Sequence, residues 1–69
     1  MAERLVNEIK ERRTAAGLTQ AQLAELVEVS RKTVNTVENG VFVPSTTLAL
    51  KLARALGVPV EQLFWLSAE

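Results

Sequence analysis

The sequence has no cysteine and no histidine among its 69 residues, and glutamate is its only acidic side chain. Without cysteine, no disulfide can staple the fold. The nitrogen and sulfur ligands of a transition-metal site are missing as well. No His-based acid–base group and no paired nucleophile and base are present either. We therefore expect no metal, no other cofactor and no enzymatic activity.

Long apolar runs are also absent. No stretch approaches the ~20 residues that a membrane-spanning helix needs. The N-terminal segment MAERLVNEIK is charged and lacks the apolar core of a signal peptide. We predict a soluble, cytoplasmic protein with a single domain over residues 1–69. A core of this size supplies only ~3–5 kcal/mol by itself, so a partner subunit is expected.

An excess of positive charge is missing too. Eight lysine and arginine residues balance eight glutamates, and the pI is about 6.3. A domain that binds nucleic acid usually has a pI above ~9. Any binding to nucleic acid must therefore depend on a local arrangement of cations.

Alternating patterns typical of strands are not visible, and turn signals recur roughly every ten to fifteen residues. This spacing predicts an all-α, compact fold of five helices. Their expected ranges are about 2–16, 20–27, 30–39, 46–56 and 59–66. The first helix would direct Leu5, Ile9 and Ala16 towards the core.

Capping residues define most of these boundaries. The candidate N-caps are Thr19, Ser30 and Ser45, and the candidate C-terminal stops are Gly17, Gly40 and Gly57. Gln22 follows Thr19 by three residues, so the two complete a capping box. The last helix begins at Pro59, where a missing N–H is harmless.

The third helix has two different faces. On a helical wheel, Val34 and Val37 share one face, whereas cations, amides and hydroxyls occupy the other. A solvated helix would more often pair glutamate and lysine four residues apart. Short polar side chains and cations at a helix N-terminus suit base edges and phosphates in a major groove. Taken alone, the pattern also fits a capped surface helix.

The second and third helices are joined by a very short turn, which predicts a helix-turn-helix over about residues 20–39. Ala24 has a side chain small enough to let the two helices cross closely. Here the sequence resembles the phage repressor/Cro-type helix-turn-helix family, also called the xenobiotic-response-element family. The residues that carry the resemblance are GLTQAQLAELVEVSRKTVNTVENGVFVPSTTLALKLARALGV, residues 17–58. The outward face and the resemblance together predict DNA contacts from Gln20, Ser30, Arg31, Lys32, Thr33, Asn35, Thr36, Asn39 and Gly40.

Glu38 lies only about 40° from Val34 on the wheel, so it faces inward and needs a charged partner. The wheel does not choose between Arg12 and Arg13 as that partner. The family pattern implies Arg13. We therefore expect an Arg13–Glu38 ion pair with a structural role, tying the first helix to the third.

Two departures from the family pattern weaken the case for tight DNA binding. The turn after the second helix usually has glycine where this chain has Glu28, and a left-handed glutamate there costs ~1–2 kcal/mol. It also places a negative charge near the DNA-facing side. The following loop, Val41-Phe42-Val43, lacks the cations that often meet phosphates there, which lowers non-specific affinity.

Apolar residues on the fourth and fifth helices exceed what one small core can bury. Leu50, Phe64, Trp65 and Leu66 are the candidate dimer interface, with the last helix, about residues 59–66, at that interface. Alternatively, Trp65 folds back on its own domain.

These features predict a small homodimeric transcriptional regulator, mainly a repressor, that binds a roughly palindromic site in double-stranded DNA. The competing interpretation is a protein-interaction module with the same fold and weak DNA binding, for example an antitoxin-like or partner-binding protein.

Overall fold

The computed structural model describes residues 3–68. In chain order, these residues form β1 (Glu3–Asn7), α1 (Ile9–Ala15), α2 (Gln20–Val27), α3 (Arg31–Glu38), α4 (Thr46–Leu56), α5 (Val60–Leu63) and β2 (Phe64–Ala68). Five helices are therefore present in the described part, as predicted, but the two strands make the all-α prediction imprecise. No helix between residues 3 and 68 has the length and apolar composition to cross a membrane.

The strands come from the two ends of the chain and pair antiparallel, with Glu3 opposite Ala68 and Asn7 opposite Phe64. The predicted helix over residues 2–16 is therefore wrong in its first half, and its first residue lies outside the described ones. The predicted helix over residues 59–66 is too long, because α5 ends at Leu63. Each terminal segment supplies the backbone hydrogen-bond partners of the other, and this pairing between distant segments is not visible in any local pattern.

Side-chain caps begin α2, α3 and α4 where the sequence predicts them. Thr19 Oγ1 accepts the amide of Gln22 at 3.0 Å, and Gln22 Oε1 accepts the amide of Thr19 at 2.8 Å. Ser30 Oγ accepts the amide of Thr33, and Ser45 Oγ accepts the amide of Leu48, both at 3.1 Å. These bonds satisfy amides that have no partner inside the helix.

All five helices and β2 contribute to one apolar core. Its buried members are Ile9, Leu23, Ala24, Val27, Val34, Val37, Leu48, Leu52, Ala53, Leu63 and Phe64. Leu5 packs against this core from β1 rather than from a helix. The prediction that Ala16 points inward is wrong, because Ala16 lies exposed at the C-terminal cap of α1. Val34 and Val37 anchor α3 from behind, so the position of the outward face of α3 is set by the core.

Candidate nucleic-acid interface

A tight left-handed turn joins α2 to α3. Glu28 has φ 62° and ψ 43°, so the residue that replaces the usual glycine is left-handed. The amide of Val29 donates to the carbonyl of Ala24 at 3.0 Å, which closes the end of α2. The Glu28 carboxylate lies 3.5 Å from Lys51 Nζ on α4, so its negative charge is part of an ion pair within this chain.

Glu38 closes the inner side of α3 through a buried ion pair. Arg13 Nε lies 2.6 Å from Glu38 Oε2, and Gln20 Nε2 donates to Oε1 at 3.1 Å. The Glu38 side chain is only 3% exposed, and that of Arg13 is 13% exposed. Arg12 contacts Glu8 instead, at 3.4 Å. A buried carboxylate with several charge-assisted donors is satisfied, so this contact fixes α1 to the base of α3.

Asn7 is a positioning residue that the sequence interpretation missed. Its Nδ2 donates to the carbonyl of Val37 at 3.0 Å, and its Oδ1 accepts the amide of Ile9 at 3.0 Å. It therefore joins the end of β1, the start of α1 and the C-terminal end of α3. The available signal was an asparagine two residues before a helical amide, a common local capping pattern.

The predicted DNA-contact residues lie along α3 and at its two ends. Ser30, Arg31, Lys32, Asn35, Asn39 and Gly40 are exposed, whereas Gln20, Thr33 and Thr36 are half-buried. Arg31 and Lys32 form no ion pair with any residue between positions 3 and 68. Two unneutralised cations therefore lie together in the first turn of α3.

Amide side chains form a chain of contacts across α2 and α3. Asn39 Nδ2 donates to Asn35 Oδ1 at 2.7 Å, and Asn35 Nδ2 lies 3.5 Å from Gln20 Oε1. Because Gln20 also donates to Glu38, one amide connects the outward face of α3 to its buried ion pair. Gln20 and Arg31 line the same cleft, at the N-terminal end of α2.

The two threonines of α3 use their hydroxyl groups inside the helix. Thr36 Oγ1 donates to the carbonyl of Thr33 at 3.0 Å. Thr33 Oγ1 lies 2.9 Å from Ser30 Oγ. The polar atoms of both side chains are thus engaged, which leaves their methyl groups as the parts free to contact other surfaces.

The candidate dimer residues do not form one patch. Successive residues on a strand point to opposite faces, and Trp65 is paired with Val6 whereas Leu66 is paired with Leu5. Leu66 is 61% exposed and Trp65 is 38% exposed. Leu50 is exposed on α4. Phe64 differs from the other three because it is only 8% exposed and belongs to the core.

The family model described as Helix-turn-helix matches residues 9–63. The uncharacterized HTH-type transcriptional regulator YgzD of Bacillus subtilis (strain 168) is 44% identical over 63 residues, which cover 91% of this chain and 96% of YgzD. An uncharacterized HTH-type transcriptional regulator of Methanothermobacter thermautotrophicus is 51% identical over 49 residues, 71% of each chain.

Among solved structures, the restriction-modification controller protein C.AhdI from Aeromonas hydrophila superimposes with a TM-score of 0.77. It is 43% identical, and the match covers 81% of this chain and 85% of C.AhdI. Two capped helices joined by a tight turn, with a basic outward face on the second, define a helix-turn-helix protein. The chain belongs to the Cro/C1-type helix-turn-helix family of transcriptional regulators, which confirms the resemblance predicted from residues 17–58.

Proposed function

We propose that the chain binds double-stranded DNA sequence-specifically as a small homodimeric regulator, acting as a repressor, with α3 in the major groove. The observation that carries this proposal is the outward face of α3. Arg31 and Lys32 are exposed there and form no ion pair with any residue between positions 3 and 68, while Val34 and Val37 hold the helix from behind. Cations at the start of a recognition helix reach base edges and flanking phosphates.

Phosphate contacts would come from the two ends of this surface. The cleft at the N-terminal end of α2 is lined by Thr19, Gln20 and Arg31, and the Arg31 guanidinium is a donor there for an anion. At the other end, Asn39 and Gly40 are exposed directly after α3. Contacts of this kind set the register of a protein on the duplex, whereas the base contacts supply specificity.

A homodimer compensates for the neutral net charge. Two copies double the number of phosphate contacts, and they place two α3 helices about 34 Å apart on a roughly palindromic site. Leu50, Trp65 and Leu66 are exposed apolar side chains, and although they do not form one patch, burying any of them against a second copy would be favourable. Phe64 would support it from the core side of the sheet.

The test begins with selection of bound duplexes from a random pool. We then measure the affinity of the parent chain and of the double variant Arg31→Ala with Lys32→Ala for selected and random duplexes across a salt series. The parent should lose affinity as salt rises, because counterions are released on binding. The double variant should lose its preference for the selected site, reduce the salt slope by up to about two, and keep the melting temperature of the parent.

A matched control removes the same two residue types elsewhere. Lys10 and Arg54 are exposed on α1 and α4. Lys10→Ala with Arg54→Ala therefore changes the net charge equally, yet it should preserve the preference for the selected duplex. If the Arg31 and Lys32 variant discriminates between duplexes as the parent does, the base-reading assignment is wrong.

A second candidate function is a protein-interaction module, including an antitoxin-like one. The exposed apolar loop Val41-Phe42-Val43 and the neutral net charge favour it. In that case, no duplex from the pool would bind with an affinity that falls as salt rises.

The dimer has a separate test. Sedimentation of the purified chain at micromolar concentration should give twice the monomer mass of 7.6 kDa. Trp65→Ser should shift the mass towards one chain, because it removes an exposed aromatic side chain from the sheet. A monomeric parent would contradict the dimer and leave the DNA-binding proposal to its own test.

A further inference from the structure

An open, apolar depression lies beside the recognition helix. It is lined by Lys32, Thr33, Thr36, Val41 and Phe42. Three of these residues belong to the outward face of α3, and the other two belong to the loop in which this chain has apolar residues instead of cations. The depression therefore adjoins the surface that we propose to face the bases.

The loop wall of the depression is fixed to α3 by its backbone. The amides of Val41 and Phe42 both donate to the carbonyl of Thr36, at 2.9 and 3.2 Å. Gly40 makes the reversal possible with φ 74°. Phe42 also lines a small pocket together with Leu5, Val37 and Phe64, although 49% of its surface is exposed. The wall thus has a defined position relative to the helix.

The helix wall offers methyl groups rather than hydrogen-bonding groups. The hydroxyls of Thr33 and Thr36 are engaged with Ser30 and with the helix backbone. What remains is an apolar surface of threonine methyls, Val41 and the Phe42 ring, with Lys32 as the only lining cation. An occupant should therefore be small and apolar, and it should be attached to something negatively charged.

We propose that this depression receives the C5-methyl group of a pyrimidine, in thymine or 5-methylcytosine, at one position of each half-site. The proposal rests on the proposed function, because α3 must first lie in the major groove. There the C5-methyl is the apolar group displayed on base edges, and threonine methyls and phenylalanine are suitable contacts for it. The phosphates of the duplex complement Lys32 at the rim.

The experiment removes the methyl group from the DNA without changing base pairing. Each thymine in a selected duplex is replaced singly by deoxyuridine, and the affinity is measured for every substitution. We expect one position per half-site to lose about fourfold, the change that corresponds to one buried methyl group. At that position, a 5-methylcytosine·guanine pair should bind more tightly than a cytosine·guanine pair. A loss with deoxyuridine but no gain with 5-methylcytosine would overturn the 5-methylcytosine part and support thymine alone.

Variants of the loop connect this methyl effect to the depression. Phe42→Ala should bring the thymine-to-deoxyuridine affinity ratio close to one. Val43→Ala is the matched control, because Val43 is 69% exposed in the same loop but does not line the depression. It should keep the ratio of the parent chain.

Thr36 separates methyl contact from hydrogen bonding and supplies a second route if Phe42→Ala fails to fold. Thr36→Ser removes the methyl and should lower the ratio, whereas Thr36→Val keeps a methyl and should maintain it. The opposite order would show that the hydroxyl reads the base and would overturn the proposal.

Three other results would also overturn the proposal, and they differ in whether the proposed function is overturned with it. A parent chain that binds the selected duplex but shows no deoxyuridine effect at any position contradicts the methyl contact alone. A Phe42→Ala variant that weakens all duplexes equally, with the ratio unchanged, also contradicts it and places Phe42 against the sugar-phosphate backbone. If the parent chain binds no duplex from the random pool, both the proposed function and this inference are wrong.

Discussion

The helix-turn-helix and the terminal sheet are stabilised in different ways. In the helix-turn-helix, side chains determine the geometry: α2 and α3 each begin at a side-chain cap, and Glu38 is held by Arg13 and Gln20. In the sheet, the backbone hydrogen bonds between β1 and β2 determine the geometry. A pair of strands is marginally stable alone, and within residues 3–68 each strand has one edge without a strand partner.

This difference suits two different tasks. The surface proposed to read bases needs a fixed geometry, since a small displacement would misalign every contact along α3. The sheet instead leaves Trp65 and Leu66 exposed on opposite faces, and burial against another chain would stabilise it further. We therefore expect that removing a buried contact of the helix-turn-helix affects the whole fold, whereas a substitution that weakens the sheet acts locally.

Glu38→Ala is expected to have the largest effect. Removing one partner of a buried ion pair leaves Arg13 without its carboxylate and lowers the free energy of unfolding by about 3–5 kcal/mol. This is comparable to the whole stability that a core of this size supplies, ~3–5 kcal/mol. The variant should therefore be largely unfolded at 25 °C, which urea titration followed by circular dichroism would show.

Glu8→Ala is the matched control for that experiment. Glu8 forms an exposed pair with Arg12 at 3.4 Å, and a surface pair of this type is worth about 0.5 kcal/mol or less. A Glu38→Ala variant as stable as Glu8→Ala would show that the buried pair does not hold α3 in place.

The parts that sequence predicted well depend on local chemistry. Thr19, Ser30 and Ser45 cap the helices that follow them, because each cap needs only a hydroxyl and an amide a few residues apart. The valines on the inner face of α3 were equally predictable, since the helical period alone places Val34 and Val37 together.

The parts that sequence failed to predict depend on distant partners or on rotamers. β1 has charged residues typical of a helix, and its partner strand lies at the other end of the chain, so no local pattern reveals the pairing. The helical wheel likewise left Arg12 and Arg13 equivalent as partners of Glu38. The hydroxyl directions of Thr33 and Thr36, which make part of the candidate interface apolar, are rotamer choices that no spacing rule encodes.

Asn7→Ala tests the connection between the two regions and should have an intermediate effect. It removes the donor to the Val37 carbonyl and the acceptor for the Ile9 amide. Losing such partly buried bonds lowers the free energy of unfolding by about 1–2 kcal/mol. Hydrogen exchange should become faster mainly in β1 and β2.

The control is Asn39→Ala, which removes an exposed side-chain bond to Asn35 and should change stability by less than about 0.5 kcal/mol. Equal effects of the two variants would contradict a linking role for Asn7.

Glu28→Gly should have the smallest effect and the opposite sign, because it improves the one strained position of the helix-turn-helix. A left-handed glutamate costs ~1–2 kcal/mol, part of which the greater unfolded-state freedom of glycine cancels. We expect a net stabilisation of about 0.5–1 kcal/mol, seen as a rise in melting temperature of about 2–8 °C. Glu28→Gln is the control that separates the effect of the backbone conformation from the effect of the charge. It loses the 3.5 Å ion pair with Lys51 but keeps a non-glycine residue in the left-handed conformation. Its melting temperature should therefore stay near that of the parent. If Glu28→Gln raised the melting temperature as much as Glu28→Gly, the destabilisation at this position would come from the negative charge. The left-handed backbone conformation of the turn would then cost no stability.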